Sequence, residues 1–252
     1  MIELWISIVF FLLGAILGSF ANVCVWRLPR GESIVWPPSH CPHCQELLKP
    51  LHLVPILSWL ILRGRCATCG GKISLRYPLV ELATASLFAL IGWRWGLSIL
   101  AGKYCLLSLA LIISVGTDFS CQEIPDQISL GASAILGIIS LINLDWSSFL
   151  GGALLFACLF LIAVASRGGM GGGDIKLALA IGLALGWKLG MVALAVAFLI
   201  GGVLAVVLLV AGNRGKAVPF GPFLAAGAWA AMFFGQTLIE WYITFSLSLW
   251  NW

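Results

Sequence analysis

Charge is scarce in this chain. Of 252 residues only a tenth are Asp, Glu, Lys or Arg, His and Tyr occur three times each, and hydrophobic residues make up 61%. With a mean hydropathy of +1.07, a soluble domain of this size would have too little polar surface to enclose its core, so that class is excluded. The few histidines exclude another. His40, His43 and His52 share one polar segment and no Ser pairs with a His near an apolar run, which leaves no constellation for serine-type nucleophilic catalysis. No Lys or Arg precedes the first apolar run, and the "RLPRGES" after it has no small-residue cleavage pattern. That run is expected to be a retained helix rather than a signal peptide.

What is abundant is long apolar sequence. The first run, "LWISIVFFLLGAILGSFANVCVW", carries no charge and meets the roughly 20 residues that a membrane span needs. Later stretches fall at about 78 to 93, 97 to 117, 128 to 144, 148 to 166, 175 to 187, 189 to 212 and 218 to 240. The sixth is short, and only a break near Gly186 and Trp187 separates it from the seventh. The expectation is an all-α polytopic membrane protein of about eight transmembrane helices in a lipid bilayer. Residues 1–25 form the first helix, 26–77 a polar loop domain and 78–252 a membrane core.

The cations orient it. Residues 26–77 contain Arg27, Arg30, Lys49, Arg63, Arg65, Lys72 and Arg76, and Lys and Arg near span ends stay in the cytoplasm. With eight crossings, Arg167, Lys176, Arg214 and Lys216 join them, leaving only Arg94, Lys103 and Lys188 outside. The net charge of +4 therefore reports topology, and no nucleic-acid partner is expected.

The polar segment contains "CPHC" (Cys41, Cys44) and "CATC" (Cys66, Cys69), 21 residues apart. Each pair can grip a metal from a tight turn, and four thiolates complete the tetrahedron of a zinc ribbon. Gly70 and Gly71 suit the second turn. Two disulfides or four free thiols compete with this reading. Cytoplasmic thiols stay reduced, however, and a loop this small has too little apolar surface to fold unaided. With four cysteines filling the metal, His40 and His43 are bystanders. Cys24, Cys105, Cys121 and Cys158 are taken as small apolar residues.

Four of the ten acids, Asp118, Glu123, Asp126 and Asp174, gather at expected cytoplasmic ends of spans. An ionisable residue at membrane depth is costly and usually faces a cavity with a purpose. Two carboxylates in a dry site would share one proton, which suits water-driven peptide hydrolysis. Gly171, Gly172 and Gly173 would let a substrate backbone lie beside Asp174. Residue chemistry alone leaves alternatives open: helix capping by Asp174, interfacial caps at Asp118 and Asp126, or a transporter's cation site. A non-catalytic scaffold docking a partner through the cysteine loop is a further one.

Taken in order, "GSFANVCVWRLPRGES", "SHCPHC", "LRGRCATCGGKISLRYPLVE", "DFSCQEIPD", "MGGGDIKLALAIG" and "PFGPFLAAGA" resemble the prepilin leader peptidases of type IV pilus and type II secretion systems, along nearly the whole chain. The Gly171–Asp174 loop is similar to the Gly-x-Gly-Asp loop of presenilin-like aspartyl proteases. The resemblance implies a multi-pass protein of the bacterial inner membrane with its active site toward the cytoplasm, and Asp174 as one catalytic aspartate. Its partner lies in "DFSCQEIPD": Asp118, which ends a span, with Asp126 in reserve. It further implies cleavage of a basic leader after Gly in prepilin or pseudopilin substrates. Methylation of the new N-terminal amine with S-adenosylmethionine rests on the resemblance alone, since residues 26–77 carry no nucleoside fingerprint. The segment "LHLVPILSW" departs from the family pattern at His52 and Val54. A transporter remains the alternative, although no second copy of the glycine-aspartate segment supports paired halves.

Overall fold

A computed structural model describes residues 1–167, 169–212 and 218–250. Arg214 and Lys216, used above in the cation count, lie outside the described residues. Among the described residues regular structure is helical, with two isolated antiparallel bridges and no strand. The chain forms two compact units, Met1–Thr117 and Asp118–Trp252.

In the first unit α1 (Ile2–Arg27) packs against α3 (Arg76–Trp95). Lipid tails are as apolar as leucine, so helices in a bilayer associate through close packing of small residues. The "GAILG" of α1 provides it. A Cβ on Gly14 would lie 2.8 Å from the Cα of Ala85, and one on Gly18 would lie 2.8 Å from the Cα of Glu81. One turn deeper, Phe10 fills the notch left by Gly92. Asn22 closes the polar end by donating from Nδ2 to the Tyr77 carbonyl at 3.2 Å. Between these helices lie the cysteine segment and the short α2 (Leu57–Ile61); α4 (Ile99–Cys121) follows and ends in the second unit.

In the second unit α5 (Asp126–Ile142), α6 (Trp146–Ala165) and α8 (Gly221–Trp250) surround α7 (Gly172–Val210). Along α5 the buried residues are Ser129, Ala132, Ser133, Leu136 and Ser140, one helical face by their spacing. Ile135, Ile138 and Leu141 point outward. Small and polar inside with large and apolar outside is what a lipid solvent selects.

The break near Gly186 is real. Gly186 has φ 74° and ψ 175° inside α7, and a Cβ on Gly190 would come within 3.7 Å of the Gly182 Cα. Eight residues of straight helix would separate those positions by about 12 Å. The chain therefore turns back on itself at Gly186, and α7 is two arms. Gly151 of α6 sits against Gly182 and Gly186 so closely that neither side has room for a Cβ.

Among the described residues five helices are long and apolar enough to cross a membrane: α1, α4, α6, α7 and α8. α3 carries Arg76, Glu81 and Arg94, and α5 has only 17 residues, so composition and length do not by themselves make them spans.

Candidate active site and metal centre

The two cysteine pairs form matching knuckles. In the first, the Gln45 N–H donates to the Cys41 carbonyl at 2.8 Å and the Cys41 N–H to Glu46; in the second, Gly70 donates to Cys66 at 2.9 Å and Cys66 to Gly71. One bridge closes each turn, His40 with Leu47 and Arg65 with Lys72. The residue after each second cysteine is left-handed, Gln45 at φ 60° and Gly70 at φ 70°, a conformation that is free of strain only for glycine. His43 packs over Gly71, whose Cβ would lie 2.7 Å from the His43 ring.

The four sulfurs lie within 4.8 Å of one another, with Cys41 Sγ and Cys69 Sγ 3.8 Å apart. A tetrahedral ion with metal–sulfur bonds near 2.3 Å requires sulfur separations of about 3.8 Å. All four are free thiols rather than disulfides, so the donor set fits a divalent metal such as zinc. The backbone N–H groups of Cys69 and Thr68 pull the Cys66 thiol down to about 6. Cys44 accepts a favourable N–H from Glu46, yet burial and the sulfurs of Cys69, Cys41 and Cys66 push it up to about 12. Four thiolates at this spacing cannot all ionise unless a cation compensates them.

The acids gather in the second unit. Asp118 lies in the last turn of α4 and is buried. The chain leaves that helix through a left-handed Gln122, whose N–H caps the Asp118 carbonyl at 3.0 Å, and Pro125 admits α5. Asp118 Oδ2 accepts the backbone N–H of Gly221 at 2.9 Å. That N–H is one of the unpaired donors at the start of α8, a natural anion site. Phe220 is held between Phe198 of α7 and Phe223, at ring-centre distances of 5.3 and 6.2 Å, which fixes the direction of the donor.

Asp174 stands in the first turn of α7 and is buried. It is not the helix cap, which is Gly171 in extended conformation. The Gly171 N–H is directed at the Asp174 carboxylate, and a Cβ there would lie 3.1 Å from Oδ2. Asp174 Oδ1 is buried without a hydrogen-bond partner among the described residues, and the carboxylate lies within electrostatic reach of Asp118. Ile124 joins the two sites: a Cβ on Gly173 would meet its Cβ at 2.8 Å, and one on Gly221 would meet its Cδ1 at 3.4 Å. Gly172 faces open space.

Asp126 is placed differently. It is exposed, and Lys176 Nζ reaches its two oxygens at 2.7 and 2.8 Å. This ion pair ties the start of α5 to the start of α7, and Glu123 is also exposed. Sequence reasoning missed Gly221 and Ile124. The signal for Gly221 was a glycine opening a helix just after Phe220, and Ile124 carries none.

The model of the Bacterial Peptidase A24 N-terminal domain matches residues 12–95, and that of the type IV leader peptidase family matches residues 105–206. The chain is similar to a prepilin leader peptidase/N-methyltransferase of Bacillus subtilis (strain 168), with 40% identity over 95% of this chain and 98% of the relative. Proteins of the same name from Stutzerimonas stutzeri and Pseudomonas aeruginosa are each 32% identical, over 93% of this chain and 92% of theirs. No solved structure matches the chain.

Proposed function

The chain belongs to the type IV leader peptidase family, and on that premise we propose that it cuts the basic leader from prepilin or pseudopilin substrates after Gly at the cytoplasmic membrane face, then methylates the new N-terminal amine. It is a peptidase with methyltransferase activity. One observation carries the peptidase mechanism: two buried carboxylates, Asp118 and Asp174, within electrostatic reach of each other, one with an oxygen unpartnered among the described residues. As the catalytic pair they divide the work. The ionised member takes a proton from water as its oxygen attacks the scissile carbonyl. The protonated member donates a hydrogen bond to that carbonyl oxygen, then passes a proton to the departing amine.

The helix arm adds a depth argument. From the Gly186 turn to Asp174 a helix rises about 18 Å, short of a hydrocarbon core of about 30 Å. With the turn at the outer face, Asp174 lies below the inner surface, where bulk water is excluded and only the hydrolytic water need enter. Gly172, open to space, gives room for a substrate backbone in extended form. Residues 78–252 serve as this peptidase core after a first helix at 1–25, in eight crossings of the bacterial inner membrane with the acids on the cytoplasmic side, as the cation bias supports.

We assign zinc to Cys41, Cys44, Cys66 and Cys69, making residues 26–77 a zinc-held module associated with methylation. S-adenosylmethionine is the proposed donor: its sulfonium methyl passes to the amine nitrogen, which gives up a proton. The reading is tested with purified protein and a prepilin. The product N-terminus should lose the leader, and should gain one methyl group only when the donor is present. An unprocessed prepilin would overturn the peptidase reading, and a mature N-terminus of unchanged mass with the donor present would overturn methylation.

The glycines make a sharper prediction. A Cβ on Gly221 would press on Asp118 Oδ2 at 2.7 Å, whereas one on Gly202, exposed on α7 and outside the site, meets nothing within 4 Å among the described residues. Displacing a catalytic group by an ångström can cost about 100-fold. Gly221→Ala should therefore lower kcat for leader cleavage by about that factor, while Gly202→Ala stays within a few-fold of the parent. Equal rates in the two variants would show that Gly221 does not position Asp118.

A further inference from the structure

Glu81 is a buried acid with no part in either site. Its Oε2 accepts the backbone N–H of Ile56 at 2.7 Å, and the Ser19 side chain of α1 lies near the same carboxylate. Ile56 is left-handed at φ 63°, a genuine outlier for a β-branched residue, and lies midway between the cysteine knuckles. The contact locates it. Glu81 is about 7 Å along α3 from the start at Arg76, and its neighbour Gly18 is about 13 Å along α1 from the end at Arg27. The segment joining the knuckles thus dips back beside the helix pair, below the ends of both helices.

The dipping segment presents apolar side chains outward. Leu57, Leu60 and Ile61 share one face of α2, with exposures of 57, 57 and 78%, and Leu51 before them is 79% exposed. Its polar groups turn the other way. Ser58 is buried and bonded to the Val54 carbonyl, and Trp59 Nε1 donates to Ile73 at 3.2 Å while its ring lies on Gly64. Exposed cations flank the stripe at Lys49, Arg63 and Arg65, and residues 26–77 hold seven Lys and Arg against Glu32 and Glu46. Apolar side chains at helix depth with cations beside them match an anionic bilayer surface. Where water is absent a free N–H is costly, so a carboxylate that accepts the Ile56 N–H has a reason to be there.

We propose that residues 50–62 are a re-entrant interfacial element: Leu51, Leu57, Leu60 and Ile61 enter the acyl region of an anionic bilayer, Lys49 and Arg63 meet its headgroups, and Glu81 tethers the element at that depth. The proposal rests on membrane embedding and is independent of the peptidase reading. It is tested in the full-length protein with a benzophenone amino acid replacing Ile61, or Thr68 of the second knuckle as comparison. The host vesicles contain phosphatidylethanolamine and phosphatidylglycerol, with prepilin present. Illumination should give a phospholipid adduct at position 61 several-fold above that at position 68. Lys49→Glu with Arg63→Glu should lower that yield in these vesicles and leave it unchanged in phosphatidylcholine alone. Glu81→Gln, which keeps an acceptor, should preserve the adduct, and Glu81→Leu should reduce it. Equal lipid yield at the two positions, or adducts to a second copy or to the prepilin in place of lipid, would overturn the proposal; an unchanged yield in Glu81→Leu would overturn the tether.

Discussion

Asp118→Asn and Asp174→Asn should each lower leader cleavage by on the order of 10³-fold or more, the scale of a lost general acid or base. Asn keeps the size and polarity of the side chain but cannot ionise, so it can neither take nor give the shared proton. Asp118 is gripped by the Gly221 N–H, and Asp174 has a buried oxygen without a partner among the described residues. The two act as one unit, so the double variant should lose little more than either single one. For the same reason the parent's rate should follow a bell-shaped pH profile with two apparent pKa values that belong to the pair. Asp126→Asn removes an exposed ion pair with Lys176 and should leave the rate within a few-fold. The measurement is initial cleavage rate on a prepilin, with each variant shown to be folded by its helical circular dichroism and its thermal unfolding. Loss in Asp126→Asn with normal cleavage in Asp118→Asn would move the assignment to Asp126. Normal rates in all three variants would end the aspartyl mechanism.

Replacing Cys41 and Cys44 together by Ser should take bound zinc from about one ion per chain to near none, because a tetrahedral site does not survive the loss of two of its four thiolates. The ion organises the knuckles. They have one bridge apiece and few buried side chains beyond Cys41 and Cys66, and metal binding in such modules is itself the folding free energy, about 10 kcal/mol or more. Residues around the first pair should then become susceptible to proteolysis, and a strong chelator should produce the same change in the parent. Methylation should fall further than cleavage, since Asp118 and Asp174 lie in a different unit from the cysteines. Metal analysis of purified protein is the direct check, and an unchanged zinc content in the double variant would refute the assignment. If every folded cysteine variant loses both activities equally, the module belongs to the peptidase's own structure.

Much of this was legible in the residues. The apolar runs mark the long helices because a bilayer demands length and composition that no other environment selects. The paired cysteines announce a metal because their spacing is local: each Cys-x-x-Cys closes its own turn, and Gly70 carries the left-handed bend that Gln45 must adopt against its preference. Even the glycine at 186 was visible as an interruption, being the one residue type that takes φ 74° without strain. These features depend on near neighbours in the chain, so the order of residues decides them.

Tertiary structure decided what depends on residues far apart. Asp118 and Asp126 stand eight positions apart in one polar stretch, and although Asp118 ends an apolar run, nothing local says what each carboxylate meets. The folded chain sets Gly221, 103 positions away, against Asp118 and gives Asp126 to Lys176, 50 positions away. Likewise the interruption at Gly186 does not state how sharply the chain turns. The close contact of Gly151 with Gly182 and Gly186 does, because backbones approach this nearly only where two glycines meet. Glu81 is the one acid of α3, and the fold brings the Ile56 N–H, 25 positions away, to its carboxylate. The sequence by itself thus determined the helices, the likeness to a family and the metal-binding pattern. Which acid is buried, which backbone donor holds it and where the knuckle segment lies were decided by packing, since a buried polar group takes its partner from whatever the fold brings within reach.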